Sequence, residues 1–162
     1  MQRLLQWLLL SFALLTAQAS VAQELNVPGR LVAETESPAP GASVTLAFVF
    51  EPKPGWHGYW ENPGDAGLGL QLEWKLPAGV SAGKPRFPVP QPLLIGGLMN
   101  HVYEEPHAVL IDLRIPDTVQ IGETIPLDVA ANWLACTDTI CVPQQGRFTA
   151  RPRKRFQNEA TG

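Results

Sequence analysis

The chain has 162 residues and a formal net charge of -3. That balance provides no basic surface of the kind nucleic acid requires, so a nucleic-acid partner is not expected. Sixteen prolines and fourteen glycines break the chain too often for long helices.

Residues 1–22 read as a secretory signal peptide. Arg3 supplies the positive start, residues 4–15 are apolar except for Gln6 and Ser11, and small residues precede a cleavage point after Ala22. The apolar run is shorter than the ~20 residues that span a bilayer, so a retained anchor is the weaker reading. No cysteine lies near the cleavage point, which argues against a lipoprotein. The mature chain is expected to be exported to an oxidising compartment. Residues 23–150 suit one domain, and residues 151–162, with Arg153, Lys154 and Arg155, read as a basic tail or linker.

Along the mature chain, apolar and polar residues alternate as in half-buried strands. A weak strand candidate covers residues 30–36. Val44, Leu46, Phe48 and Phe50 then mark one apolar face, and Leu68, Leu70, Leu72, Trp74 and Leu76 another. Residues 84–101 show no clear period and read as a long ordered loop, a length often tied to function. Val109, Ile111, Leu113 and Ile115 resume the alternation, followed by Ile125, Leu127, Val129, Ala131 and Trp133, and weakly by residues 146–150. Pro/Gly turns separate these segments. The pattern predicts an all-β, immunoglobulin-like antiparallel β-sandwich.

Three constellations carry chemistry. The only two cysteines, Cys136 and Cys141, have four residues between them. That spacing lets two Cα atoms come within the ~4.4–6.8 Å of a disulfide. The preceding strand delivers Cys136 to a strand-end turn, and Pro143 is expected to end ladder pairing beyond it. So small a loop removes little unfolded-state entropy, which shifts the balance towards redox work. A structural bond and a metal site remain open on spacing alone. Second, residues 55–67 are dense in aromatics and turn formers. They read either as core at a sandwich edge or as an aromatic platform beside a reactive site, and glycan stacking is a further reading. Third, His57, His101, His107 and Met99 with the cysteines resemble a copper ligand inventory. The histidines and Met99 all precede the cysteines and lack tight ligand spacing, so satisfied or solvated histidines are expected. No Gly-x-Ser-x-Gly elbow or phosphate-binding glycine loop is present.

Gly55-Trp56-His57-Gly58-Tyr59-Trp60-Glu61-Asn62-Pro63-Gly64-Asp65-Ala66-Gly67, then Trp74-Lys75-Leu76-Pro77-Ala78-Gly79-Val80, then Trp133-Leu134-Ala135-Cys136 and Ile140-Cys141-Val142-Pro143, resemble the N-terminal periplasmic domain of DsbD-type protein-disulfide reductases. The likeness is closer to the branch holding the suppressor-of-copper-sensitivity proteins, and it spans residues 31–150. The resemblance implies a redox-active Cys136–Cys141 pair, with Cys141 forming mixed disulfides and Cys136 resolving them. It also implies a cap loop over the pair around residues 92–103, bringing Leu98, Met99 and Tyr103 beside it, with Trp56, His57 and Tyr59 as the aromatic surround. No cofactor is implied. The implied partners are thioredoxin-fold periplasmic proteins of the disulfide isomerase or cytochrome c maturation type. The spacing of the two cysteines departs from the best-known enterobacterial member. Because no membrane or thioredoxin-like part follows, a separately encoded membrane electron donor is expected.

No cationic side chain adjoins the pair, and Asp138 lies within it. The thiol is therefore expected to be only weakly acidic and reactive mainly when its cap opens. A binding module with a structural disulfide and a copper-handling protein are the rival functions.

Overall fold

The computed structural model describes residues 24–35, 38–120 and 125–150. The expected signal peptide and the basic tail lie outside the described residues. Within them there are ten strands and no helix. In chain order these are β1 (Gly29–Ala33), β2 (Ser43–Phe50), β3 (Gly58–Gly64), β4 (Gln71–Lys75), β5 (Ser81–Ala82), β6 (Gln91–Ile95), β7 (Leu98–Tyr103), β8 (His107–Arg114), β9 (Leu127–Cys136) and β10 (Cys141–Ala150).

All pairings are antiparallel. One sheet has the order β1-β2-β8-β5, a second β10-β9-β4, and a third β3-β7-β6. The first two face each other as the sandwich. Alternation explains why. Val44, Leu46, Phe48 and Phe50 of β2 are all buried, as are Val109, Ile111 and Leu113 of β8. They meet Leu127, Val129, Ala131, Trp133 and Ala135, the inward set of β9. Fully burying each such large side chain contributes about 1.5–3 kcal/mol. Aromatic rings lock the two sheets edge to face, with Phe48 against Trp74 at 6.1 Å and Phe50 against Trp133 at 5.4 Å. The segment before β1 is pinned by its backbone: Val27 N donates to Gln144 Oε1 at 3.0 Å, and Trp133 Nε1 donates to Val27 O at 3.0 Å.

The sandwich expected from alternation is present, with three local corrections. Residues 84–101 are not a loop throughout. Their second half forms a hairpin of β6 and β7 around Gly96 and Gly97, whose φ values of 57° and 86° suit the mirror-image turns of two-residue hairpins. Leu93, Leu94 and Ile95 are consecutive apolar residues, so no period of two was visible there. The expected strand from Leu68 starts only at Gln71, leaving Leu68 exposed on the approach. Pro143 does not end the ladder, because β10 pairs with β9 from Cys141↔Cys136 to Ala150↔Leu127. β10 is an edge strand, where proline is tolerated if its nitrogen points away from the neighbouring strand.

The third sheet joins the second through one bridge, His57↔Cys136. It therefore lies against the end of β9 where the cysteine sits.

Candidate functional site at the Cys136–Cys141 disulfide

Cys136 closes β9, Cys141 opens β10, and a disulfide joins them. The turn between them is tied by Thr137. Its N donates to Ile140 O at 2.8 Å, and its Oγ1 accepts from Thr139 N at 3.3 Å and Ile140 N at 3.2 Å. On its other side Cys136 exchanges both backbone bonds with His57, at 2.9 and 3.0 Å. Its N–H and C=O thus point away from Cys141, which makes Cys136↔Cys141 a non-hydrogen-bonded pair. Such pairs bring Cα atoms closest, to about 4.5 Å, and the observed separation is 4.1 Å. Pro143, two residues on, falls in the same kind of position, which accounts for its place in the ladder.

β9 separates two environments. Ala135 points into the sandwich core, whereas Cys136 points the opposite way. There it packs with Tyr59 and Val102, flanked by Leu93 and Leu134, and is 0% exposed. Cys141 is exposed. One sulfur-bearing residue is sealed and its mate is open. Beside Cys141 lies a cleft of about 170 Å³, bounded by Tyr59, by Ile95 and Leu98 at the hairpin tip, by Asn100, and by Ile140 of the disulfide turn.

The glycine-rich segment after β3 sets this cleft. Asp65 holds the hairpin from both sides of one residue: its N donates to Met99 O and its Oδ2 accepts from Met99 N, each at 2.8 Å. Gly64 has φ 91°, and a Cβ there would stand 2.3 Å from Met99 O. Gly67 has φ 100°, and a Cβ there would stand 2.2 Å from the Tyr59 ring. Neither position admits a side chain without displacing the hairpin or the tyrosine.

His57 is 2% exposed, and its Nε2 meets Tyr59 Oη at 3.3 Å. Burial pulls the His57 pKa below its ordinary value, while Glu104 and Asp138 pull it back. Burial raises the pKa of Tyr59. Of the residues that the sequence points to, Cys141, Tyr59 and Leu98 line the cleft. Cys136 lies beneath it, and His57 is bonded to Cys136 and Tyr59. Met99 is 40% exposed and touches the site through its backbone bonds to Asp65. Trp56 and Tyr103 are not in the cleft. Trp56 packs on the main core. Tyr103 donates to Pro88 O at 2.6 Å and stacks on His107 at 4.1 Å. Sequence reasoning gives no role of their own to Asn100, Ile95, Ile140 or Asp65, although Asp65 and Ile140 fall in the motifs that carry the resemblance and Ile95 and Asn100 in the expected cap segment. Asn100 is 2% exposed; its Nδ2 donates to Leu98 O at 3.1 Å, and its Oδ1 has no partner among the described residues.

The three histidines occupy separate settings. His101 Nδ1 meets Asn62 O at 3.0 Å, and His107 stacks between Phe50 and Tyr103. Among the described residues no group of three or more His, Cys, Asp or Glu is arranged to hold a metal ion.

Residues 27–152 match the family described as Thiol:disulfide interchange protein DsbD, N-terminal. The chain belongs to this family. Two solved structures are similar in fold. The N-terminal periplasmic domain of ScsB from Proteus mirabilis has a TM-score of 0.63 at 17% identity, covering 85% of this chain and 52% of that one. The DsbD N-terminal domain of Neisseria meningitidis in its reduced form has a TM-score of 0.51 at 14% identity, covering 83% and 92%. The chain therefore spans about half the length of the ScsB structure. No curated protein sequence matches it. Membership in the DsbD N-terminal family, together with a closed cysteine pair at a cleft, fits thiol–disulfide exchange.

Proposed function

We propose that this protein is a periplasmic thiol–disulfide exchange domain that passes electrons to partner protein disulfides through Cys136 and Cys141. The observation that carries the reading is the asymmetry of the pair, with Cys141 exposed beside the cleft and Cys136 0% exposed. Attack on a disulfide depends on access to the sulfur that is struck and on the stability of the one that leaves. A donor thiolate attacks Cys141 Sγ, and the Cys136–Cys141 bond breaks with its electron pair on Cys136. A second donor thiol resolves the mixed disulfide, leaving the donor oxidised and both cysteines reduced. Cys141 then attacks an acceptor disulfide. Cys136 displaces the acceptor as a dithiol and closes the bond again, so two electrons have moved.

The acceptors are thioredoxin-fold proteins of the disulfide isomerase or cytochrome c maturation type, and the donor is a dithiol at the membrane. Family membership supports this partner class, and the periplasmic setting of the ScsB domain supports the compartment, in line with the expected signal peptide. The hairpin of β6 and β7 serves as the cap, and Leu98 is its contact above the cleft.

The Cys136→Ala variant tests the scheme. It should accumulate mixed disulfides through Cys141 with thioredoxin-fold partners, and the Cys141→Ala variant should not. A bond that titrates below about -300 mV against glutathione buffers is an inert staple and would overturn the proposal.

A further inference from the structure

Opening the disulfide at Cys141 leaves a negative charge on Cys136, the buried half. Cys136 is 0% exposed, and its neighbours Tyr59, Val102, Leu93 and Leu134 are mostly apolar. An unpartnered anion there is strongly disfavoured, which raises the pKa of the leaving thiol and slows its departure. Two polar side chains share the face onto which Cys136 projects. His57 stands directly opposite Cys136 in the ladder, and residues opposed in this way project on the same side. Tyr59 follows His57 by two residues, which places it on that side as well. Tyr59 packs against Cys136, lines the cleft with Cys141, and meets His57 Nε2 at 3.3 Å.

Burial pulls the His57 pKa down and favours the neutral imidazole, while Glu104 and Asp138 act in the opposite sense. A neutral imidazole with its proton on Nε2 donates to the tyrosine oxygen. The hydroxyl proton of Tyr59 is then available to a second acceptor.

We propose that Tyr59 donates a hydrogen bond from its hydroxyl to the Cys136 thiolate as the disulfide opens, and that His57 is a positioning residue that orients this hydroxyl through Nε2–H. The inference rests on the exchange reading above and adds to it the groups that receive the leaving sulfur. In the step, the attacking thiolate forms a bond to Cys141 Sγ, and the electrons of the broken S–S bond settle on Cys136 Sγ. No proton changes owner. When the bond closes again, the same donor keeps Cys136 in the thiolate form that resolves the mixed disulfide.

The test opens the disulfide of the full chain with dithiothreitol and follows the rate across pH. Tyr59→Phe keeps the ring and loses the donor. Hydrogen bonds to charged groups are strong enough that opening should slow about tenfold or more. In the Cys141→Ala background, the ultraviolet titration of the Cys136 thiolate should move up by about one unit for the same change. His57→Leu should slow opening similarly, His57→Gln should restore most of the rate because it keeps an N–H donor, and His57→Leu should add nothing once Tyr59 is Phe. Wild-type kinetics and titration in a folded Tyr59→Phe protein overturn the proposal. So does a His57→Leu effect that persists undiminished in the Tyr59→Phe background. Should His57→Leu fail to fold, Tyr59→Phe and His57→Gln decide the matter. Because a small dithiol is the probe, the outcome is independent of the protein partners. If the wild-type protein exchanges with no thioredoxin-fold partner while the Tyr59 and His57 variants slow dithiothreitol opening as stated, the partner assignment fails and this inference stands.

Discussion

Reducing Cys136–Cys141 in the folded protein should cost little stability. The bond joins residues only 5 apart in sequence. The chain-entropy relation gives a loop this small about 2 kcal/mol, against about 4.7 for a hundred-residue loop. The two large core clusters between the facing sheets contain neither cysteine; Cys136 belongs to a small separate cluster with Tyr59 and Val102. Removing the bond also leaves the ladder from Val142↔Ala135 to Ala150↔Leu127 in place. Against a total of about 5–15 kcal/mol for a typical domain, the reduced protein should remain folded. Urea unfolding followed by the fluorescence of Trp133 and Trp74, with and without reductant, measures the difference. At a slope of about 2 kcal/mol/M the midpoint should fall by about 1 M. Unfolding on reduction, or a loss above about 4 kcal/mol, would refute this reasoning and mark the bond as a staple.

Three further outcomes concern the surround of the pair. Gly67→Ala puts a Cβ against the Tyr59 ring at a φ of 100°; strain and overpacking together should cost about 2–4 kcal/mol, read from the urea midpoint, and a change under about 0.5 kcal/mol contradicts the geometry. Asp65→Ala removes the carboxylate that accepts from Met99 N; hydrogen exchange at the hairpin tip and the rate of disulfide opening should both rise while global stability shifts by only about 1 kcal/mol, and an unchanged opening rate shows that this tether does not gate the site. Burial depresses the folded pKa of both His57 and His107 from 6.5. The unfolded chain then binds more protons below that value, so stability is fully present above about pH 6.5 and declines as pH falls through the folded pKa values. His107→Gln should flatten this acid limb in urea melts, and an identical limb would exclude His107 as a contributor.

The sandwich was legible wherever a strand buries one face only. β2, β8 and β9 show a clean period of two because their other face is polar or partly exposed. The hairpin of β6 and β7 was not legible, since Leu94 and Met99 are apolar yet face solvent at 64% and 40% exposure. Its burial is set by the distant disulfide turn rather than by its own pattern. The alternation of the preceding strand placed the cysteine pair at a strand end, where β9 stops at Cys136 and β10 starts at Cys141. The role of Pro143 was not legible, because whether its nitrogen faces a neighbour depends on register, and register here follows from the bonds between Cys136 and His57. The aromatic block divided for a similar reason. Trp56 and His57 are sequence neighbours on opposite faces of one chain, so one joins the main core and the other reaches Tyr59. Asn100 escaped notice because nothing local marks a buried amide within a segment that reads as a loop.

The alternation along β9 has a consequence for how the site can change. Ala135 and Cys136 are adjacent in the chain but belong to different clusters, so the strand works as a partition wall with the main core on one side and the disulfide on the other. Conservative substitutions of cleft-lining side chains such as Leu98 or Ile140 can retune access to the sulfurs without touching the two large core clusters. An insertion of one residue in β9 would exchange the two sides at once. Such a domain can tolerate drift in the exposed side chains at its cleft but almost none in the phase of the strand that carries Cys136.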